Sequence, residues 1–300
     1  MTFSADGKYL VSCGYRGPVQ IWRVKDGEQM ATINAKHLLC LAVSRDGKWI
    51  AAGTWEGVIV WNAETYERVF THDSMNIGAV DFSPSDSSRL VVASLEQSTA
   101  TVWDLRAHKQ VQTLDHSSKV RAAKFSSQGD RIATATEDCV RVYDSNDGRI
   151  LIEIPVIVTP WFNTGLLWFN NHFFVVSTGK IMEFDASTGS VVSEWPVPDS
   201  NKTSCIALLQ NSECIVYSSK RTVTFWATST HTPLGLIQHS EPIHSIALSP
   251  DDKSFAIGGQ GVKTTIYTLS RITVSTVFPC ITACQNNFLT PLVLSTPRFP

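Results

Sequence analysis

The residues with chemical potential are few and scattered. Gly258-Gly259-Gln260-Gly261-Val262-Lys263 has the glycine content and lysine of a phosphate-binding loop. It lies between two β-type runs, however, and no helix follows whose N-terminus could hold a phosphate. It reads as an inter-strand turn. A nucleophile needs a base within hydrogen-bond reach, and the chain has no Gly-x-Ser-x-Gly elbow. His72-Asp73 and Asp115-His116 are the closest acid–base pairings. The eight histidines include no His-x-x-x-His, and His239 and His244 are five residues apart across a loop, so no metal ligand set is expected. The seven cysteines are odd in number and form no Cys-x-x-Cys. They read as reduced, mostly buried thiols of a cytoplasmic protein, with the nucleus as the alternative. No catalytic residue, metal or cofactor is expected.

The elements around these residues explain the scarcity. Of 300 residues, 43% are hydrophobic and 17% charged, with a net charge of −2. That composition excludes wholesale disorder. Residues 1–150 carry 17 basic and 18 acidic side chains, and residues 151–300 carry 8 and 9. Neither half has the basic excess of a nucleic-acid or anionic-membrane binder. Two stretches, 154–179 and 272–297, lack charge, but prolines and asparagines interrupt both. Neither is expected to span a bilayer.

The dominant signal is repetition. An aromatic followed by a short residue closes a β-branched run at Trp22, Trp61, Trp103, Tyr143, Phe184, Trp226 and Tyr267, with spacings of 39, 42, 40, 41, 42 and 41. The repeats thus end near residues 23, 62, 104, 144, 185, 227 and 268. Apolar-Ser-x-x-(Asp/Gly) turns keep step at Phe3, Val43, Phe82, Phe125 and Leu248, and more weakly at Leu208. In the fifth repeat Phe169 is followed by Asn170-Asn171, which suits a tighter hairpin because Asn tolerates positive φ. The second repeat reads as strands over 38–44, 48–54, 58–62 and 68–72. Four strands of about six residues with short turns fill one period. A four-stranded meander has two apolar faces, and radial stacking of such sheets buries both. The fold class is therefore all-β: a seven-bladed propeller of four-stranded antiparallel blades.

At these residues the chain resembles the WD-repeat β-propeller family, over about residues 1–275. The complete Trp-Asp survives at Trp103-Asp104, with Tyr143-Asp144 and Phe184-Asp185 as conservative versions. The resemblance assigns structural roles to the seven repeat aromatics and to His37, His72, His116 and His239. It implies hydrogen-bonded sets of His37 with Thr54 and Trp61, and of His72 with Ser94 and Trp103. The propeller is expected over 1–278, its first blade lacking most of the innermost strand, with an irregular tail over 279–300. Three alternatives are open at the closure: residues 290–295 supply the missing strand, the ring closes imperfectly, or the chain is part of a longer protein.

The family implies a non-catalytic scaffold for proteins or peptides in a multi-protein complex, with no nucleic acid, membrane or metal involved. Loops at one face, on a rigid core, are the expected platform. Candidate partner-binding residues there are Tyr15, Arg16, Trp55, Met75, Lys119, Trp161, Phe162, Lys220, Arg221 and Gln260, types enriched at interfaces or able to pair there. Trp168, assigned the register of Asp81 and Lys124, is either buried between blades or joins Trp161 and Phe162 in an apolar patch. The alternative is an enzyme acting on a glycan or small molecule in the central channel. Glu56, Glu96, Glu137 and Asp138 would be its candidate acids, and paired carboxylates its requirement.

Overall fold

The computed structural model describes residues 1–14, 17–158, 165–197, 205–209, 214–259, 264–269 and 291–294. Among them there is no helix, and the strands form seven four-stranded antiparallel sheets. In six blades the strands follow sequence order from the channel outward; the seventh takes its outer strand from Pro291–Leu294. Blade two is typical: Leu38–Val43 innermost, then Trp49–Thr54, Gly57–Asn62 and Arg68–Asp73.

The repeated turn has a local cause. Ser4 donates to the Asp6 carboxylate (2.6 Å) and accepts from the Tyr9 amide (3.0 Å), while Gly7 takes φ +70°. Ser44, Asp46 and Gly47 repeat this in blade two, and Ser249 with Asp251 in blade seven. A side-chain oxygen thereby replaces a missing backbone partner at the tip. In blade five the tip is Asn170-Asn171, with Asn170 at φ +49°.

Two expectations need revision. Blade one has all four strands; its inner strand is Thr2–Phe3, paired with Leu10 and Val11. Two residues suffice because buried Phe3 joins Leu10 and Trp22 against Ala256, Ile266 and Leu294 of blade seven, closing the ring. The tail strand does not complete blade one. It pairs with Thr264–Thr268 on the outside of blade seven, and Leu294 enters the closing cluster.

The repeat aromatics pack between sheets. Trp22, Trp61, Trp103, Tyr143, Phe184 and Trp226 are buried. Tyr267 is half-buried and stacks on Phe255 with centroids 4.9 Å apart. Each aromatic sits opposite a large apolar residue of the second strand, as Trp61 does Ile50.

Candidate functional site

In each sheet, the loop joining the second and third strands and the loop entering the next inner strand emerge at one end. A hydroxyl residue at the end of the second strand shapes this face. Thr54 donates to the Gly57 carbonyl (2.9 Å) and accepts from the Glu56 and Gly57 amides. Ser94 donates to the Met75 carbonyl (2.6 Å) and accepts from the Glu96 and Gln97 amides. Thr136 donates to Asp138 (2.6 Å), and Ser177 to the Ile157 carbonyl (2.6 Å). Backbone bonds stitch neighbouring loops together: Trp55 N–H to His37 O, Asn76 N–H to Trp55 O, and Leu95 N–H to Asn76 O.

Three large apolar side chains project from this fixed backbone: Trp55 is 47% exposed, Met75 68% and Ile157 70%. Their backbones are already ordered, so a partner covering them gains apolar burial at reduced entropic cost. Lys119 is exposed, its ammonium 3.8 Å from Glu96, which also accepts from the Asn76 amide (3.0 Å). Lys220 and Arg221 form the exposed tip of blade six, their carbonyls accepting from Ile243 and His239. Tyr15, Arg16, Trp161, Phe162 and Gln260 lie outside the described residues. The structure thus brings Trp55 and Met75 together and places Lys220 and Arg221 three blades from Trp55 around the ring. Ile157 was not singled out from sequence. Its signal was there in Ser177, which stands where Ser94 stands in blade three.

The histidines are arranged differently from the implied sets. His37 lies against Trp55 (centroids 5.8 Å) and Glu56 (3.9 Å), so it supports the exposed hairpin. His72 lies against Trp103 with the rings tilted (centroids 4.3 Å), but the proton of Ser94 goes to Met75 and that of the Trp103 indole to Thr101 (3.0 Å). No His72–Ser94–Trp103 chain therefore forms. His116 bonds the Tyr143 hydroxyl at 3.2 Å, and burial pushes its pKa down to about 4. His239 is buried, accepting from the Glu241 amide (3.3 Å).

Among the described residues, the inner strands hold an ionisable pair. Asp81 accepts from the Phe125 amide (2.9 Å) and lies 3.7 Å from the Lys124 ammonium. Burial nonetheless pushes its carboxyl above the usual range. Its neighbour is a cation, not a second acid. Glu137 pairs with Arg121, and Asp138, held low by Thr136 and Ser118, is solvated. The Cys40 and Cys214 thiols are pushed up to about 12 by burial, which removes the thiolate a nucleophile needs. Among the described residues no group of three His, Cys, Asp or Glu could hold a metal ion. Trp168 does not share the register of Asp81 and Lys124. It pairs with Phe173, as Phe82 pairs with Leu90, so Leu167 takes that register. The shorter hairpin of blade five causes the one-residue shift. Trp168 packs on the core between blades four and five, its indole donating to the Lys124 carbonyl (3.3 Å).

The WD domain, G-beta repeat family model matches residues 27–62 and 108–144. Apoptotic protease-activating factor 1 of Mus musculus is 26% identical over 163 residues, 48% of this chain and 13% of that protein. The chain therefore spans about an eighth of that relative's length. The Serine-threonine kinase receptor-associated protein of Dictyostelium discoideum is 25% identical over 246 residues, covering 75% of this chain and 78% of that protein. Protein groucho of Drosophila melanogaster is 29% identical over 140 residues, 44% of this chain and 19% of that protein. Among solved structures, the computationally designed Ika8 protein superposes with a TM-score of 0.67 at 18% identity, covering 89% of this chain and 82% of that one; this likeness concerns fold. With repeat matches in the second and fourth periods and seven four-stranded sheets closed in a ring, the chain is a seven-bladed β-propeller whose repeats are similar to those of the WD domain, G-beta repeat family.

Proposed function

We propose that the protein is a non-catalytic interaction scaffold, holding protein or peptide partners within a multi-protein complex of the cytoplasm or nucleus. The observation that carries this reading is the row of exposed apolar side chains on hydrogen-bonded loops: Trp55, Met75 and Ile157. Solvent-exposed Trp and Met on a pre-ordered face are interface anchors, since their burial adds affinity without further ordering. The family and its relatives support the class of function. The pairing of Asp81 with Lys124 supports it over an enzyme working in the channel, because an acid pair there is what glycan chemistry requires.

Affinity capture of the tagged chain from its native extract, beside a Trp55→Ala/Met75→Asp double variant, tests the proposal. Both side chains are exposed, so the variant is expected to fold. Proteins retained by the wild type and absent from the variant support the reading. Identical sets from both mean that this face is not the platform.

A further inference from the structure

The blade boundaries serve as internal controls for one another. On the face opposite the hairpins, the first residue of each second strand meets the third-to-fourth-strand turn of the next blade. At the boundary of blades three and four, Arg89 fills this gap and donates to the Ser145 carbonyl (2.7 Å). Between blades four and five, Arg131 donates in the same way to the Ala186 carbonyl. Between two and three, Trp49 and Leu105 share one apolar cluster, and between six and seven Cys214 and Leu269 do.

The boundary of blades one and two has no guanidinium, and its apolar pair, though it shares one cluster, is smaller. The equivalent positions are Tyr9 and Ala63. With no guanidinium to bridge the gap and a methyl where others have leucine, a cleft of about 650 Å³ is left open. Its floor is apolar, formed by Val11, Ile21 and Ile50, and Tyr9 and Tyr66 form its walls. Its lining carries Asp6, Asp46 and Glu64 beside Arg45; Asp6 and Asp46 are already paired with Lys8 (3.1 Å) and Lys48 (3.8 Å), which leaves Glu64 as the carboxylate for an incoming cation. Asp6 is held ionised by the Ser4 hydroxyl. In Asp46, burial opposes ionisation and the bonds from Ser44 and Lys48 outweigh it.

We propose that this cleft receives an arginine side chain of a partner peptide, in the place that Arg89 and Arg131 occupy at the later boundaries. An arginine carries the three properties the cleft asks for. Its methylene stem lies on an apolar floor, its planar cation suits tyrosine faces, and its charge complements Glu64. The Ala63 carbonyl, equivalent to those of Ser145 and Ala186, is the acceptor for its fork. Lysine shares the charge but lacks the fork. The site lies on the opposite face from the Trp55 hairpin and does not depend on the reading of that face.

The test uses a blocked Gly-Gly-Arg-Gly-Gly peptide titrated into the full isotopically labelled chain and followed by amide chemical shifts. Shifts concentrated on residues around Tyr9, Asp46 and Ala63 are expected, with the lysine analogue about tenfold weaker and the glutamate analogue silent. Tyr9→Arg supplies the guanidinium from within, as the third and fourth blades do, and is expected to lower probe affinity at least about tenfold. Glu64→Lys, on an exposed side chain, keeps the melting temperature and weakens binding about three- to tenfold. No shifts at millimolar peptide, shifts scattered over other acidic turns, or equal binding by wild type and Tyr9→Arg would overturn the proposal. Trp55→Ala leaves the probe bound, so this site and the hairpin face succeed or fail separately.

Discussion

Trp55 and Trp61 sit six residues apart on one hairpin, and alanine at each should have very different costs. Trp61 is 2% exposed and packs with Ile50 and Leu38 of its own blade and with Val11, Val19 and Ile21 of blade one. A buried Trp removes about 150–250 Å² from water, worth about 4–6 kcal/mol at ~25 cal/mol per Å². Sheets anchored on both sides cannot collapse into the space, so Trp61→Ala is expected to cost about 3–5 kcal/mol. Trp55 keeps 47% of its surface in water and makes a ring contact with His37 on the neighbouring loop. With so much of its surface still solvated in the fold it gains little burial on folding, so Trp55→Ala should cost at most about 1 kcal/mol. Urea titrations followed by far-UV circular dichroism measure both losses, provided the slope is unchanged. A loss below about 1 kcal/mol for Trp61→Ala, or equal losses for the two variants, refutes the placement of these rings.

Other consequences can be measured on the same material. Gly57 has φ +152°, and an added Cβ would stand 2.2 Å from the His72 carbonyl; Gly57→Ala is expected to cost about 2–4 kcal/mol by thermal melting, and an unchanged midpoint would contradict the strand pairing there. His116 is neutral in the fold down to about pH 4 but titrates near 6.5 when unfolded. The unfolded chain binds the extra proton in that window, so stability is full above it and falls with pH through it, by about 1–2 kcal/mol after allowance for partial exposure. His116→Gln should flatten that part of the stability–pH curve, and an unaltered curve would assign it to other groups. Arg89→Ala removes the bond to Ser145 and should cost about 1–2 kcal/mol in denaturant titrations. If the midpoint does not move, the guanidinium bridge is not a stabilising contact and the arginine cleft loses its internal precedent.

The period, the strands and the inward aromatics were legible in the sequence because each rests on local chemistry. A Ser-x-Asp-Gly turn forms from residues within five positions of one another, and strand alternation sorts side chains to two faces. The hairpin tips holding Trp55 and Glu96 were legible for the same reason. Contacts between blades were not. Whether His72 meets Trp103 by direct ring contact or through Ser94 depends on which carbonyl a distant loop presents to that hydroxyl. The register of Trp168 turned on a hairpin shortened by the Asn170-Asn171 tip, and a one-residue slip changes the face to which a side chain belongs. The cleft beside Tyr9 arises because Ala63, some fifty residues away, is small. Sequence by itself determined that sheets of this kind must stack in a ring, since each has two apolar faces to cover. Tertiary structure alone decided what fills each gap between them, because that depends on the volumes and hydrogen-bonding groups of residues a whole repeat apart.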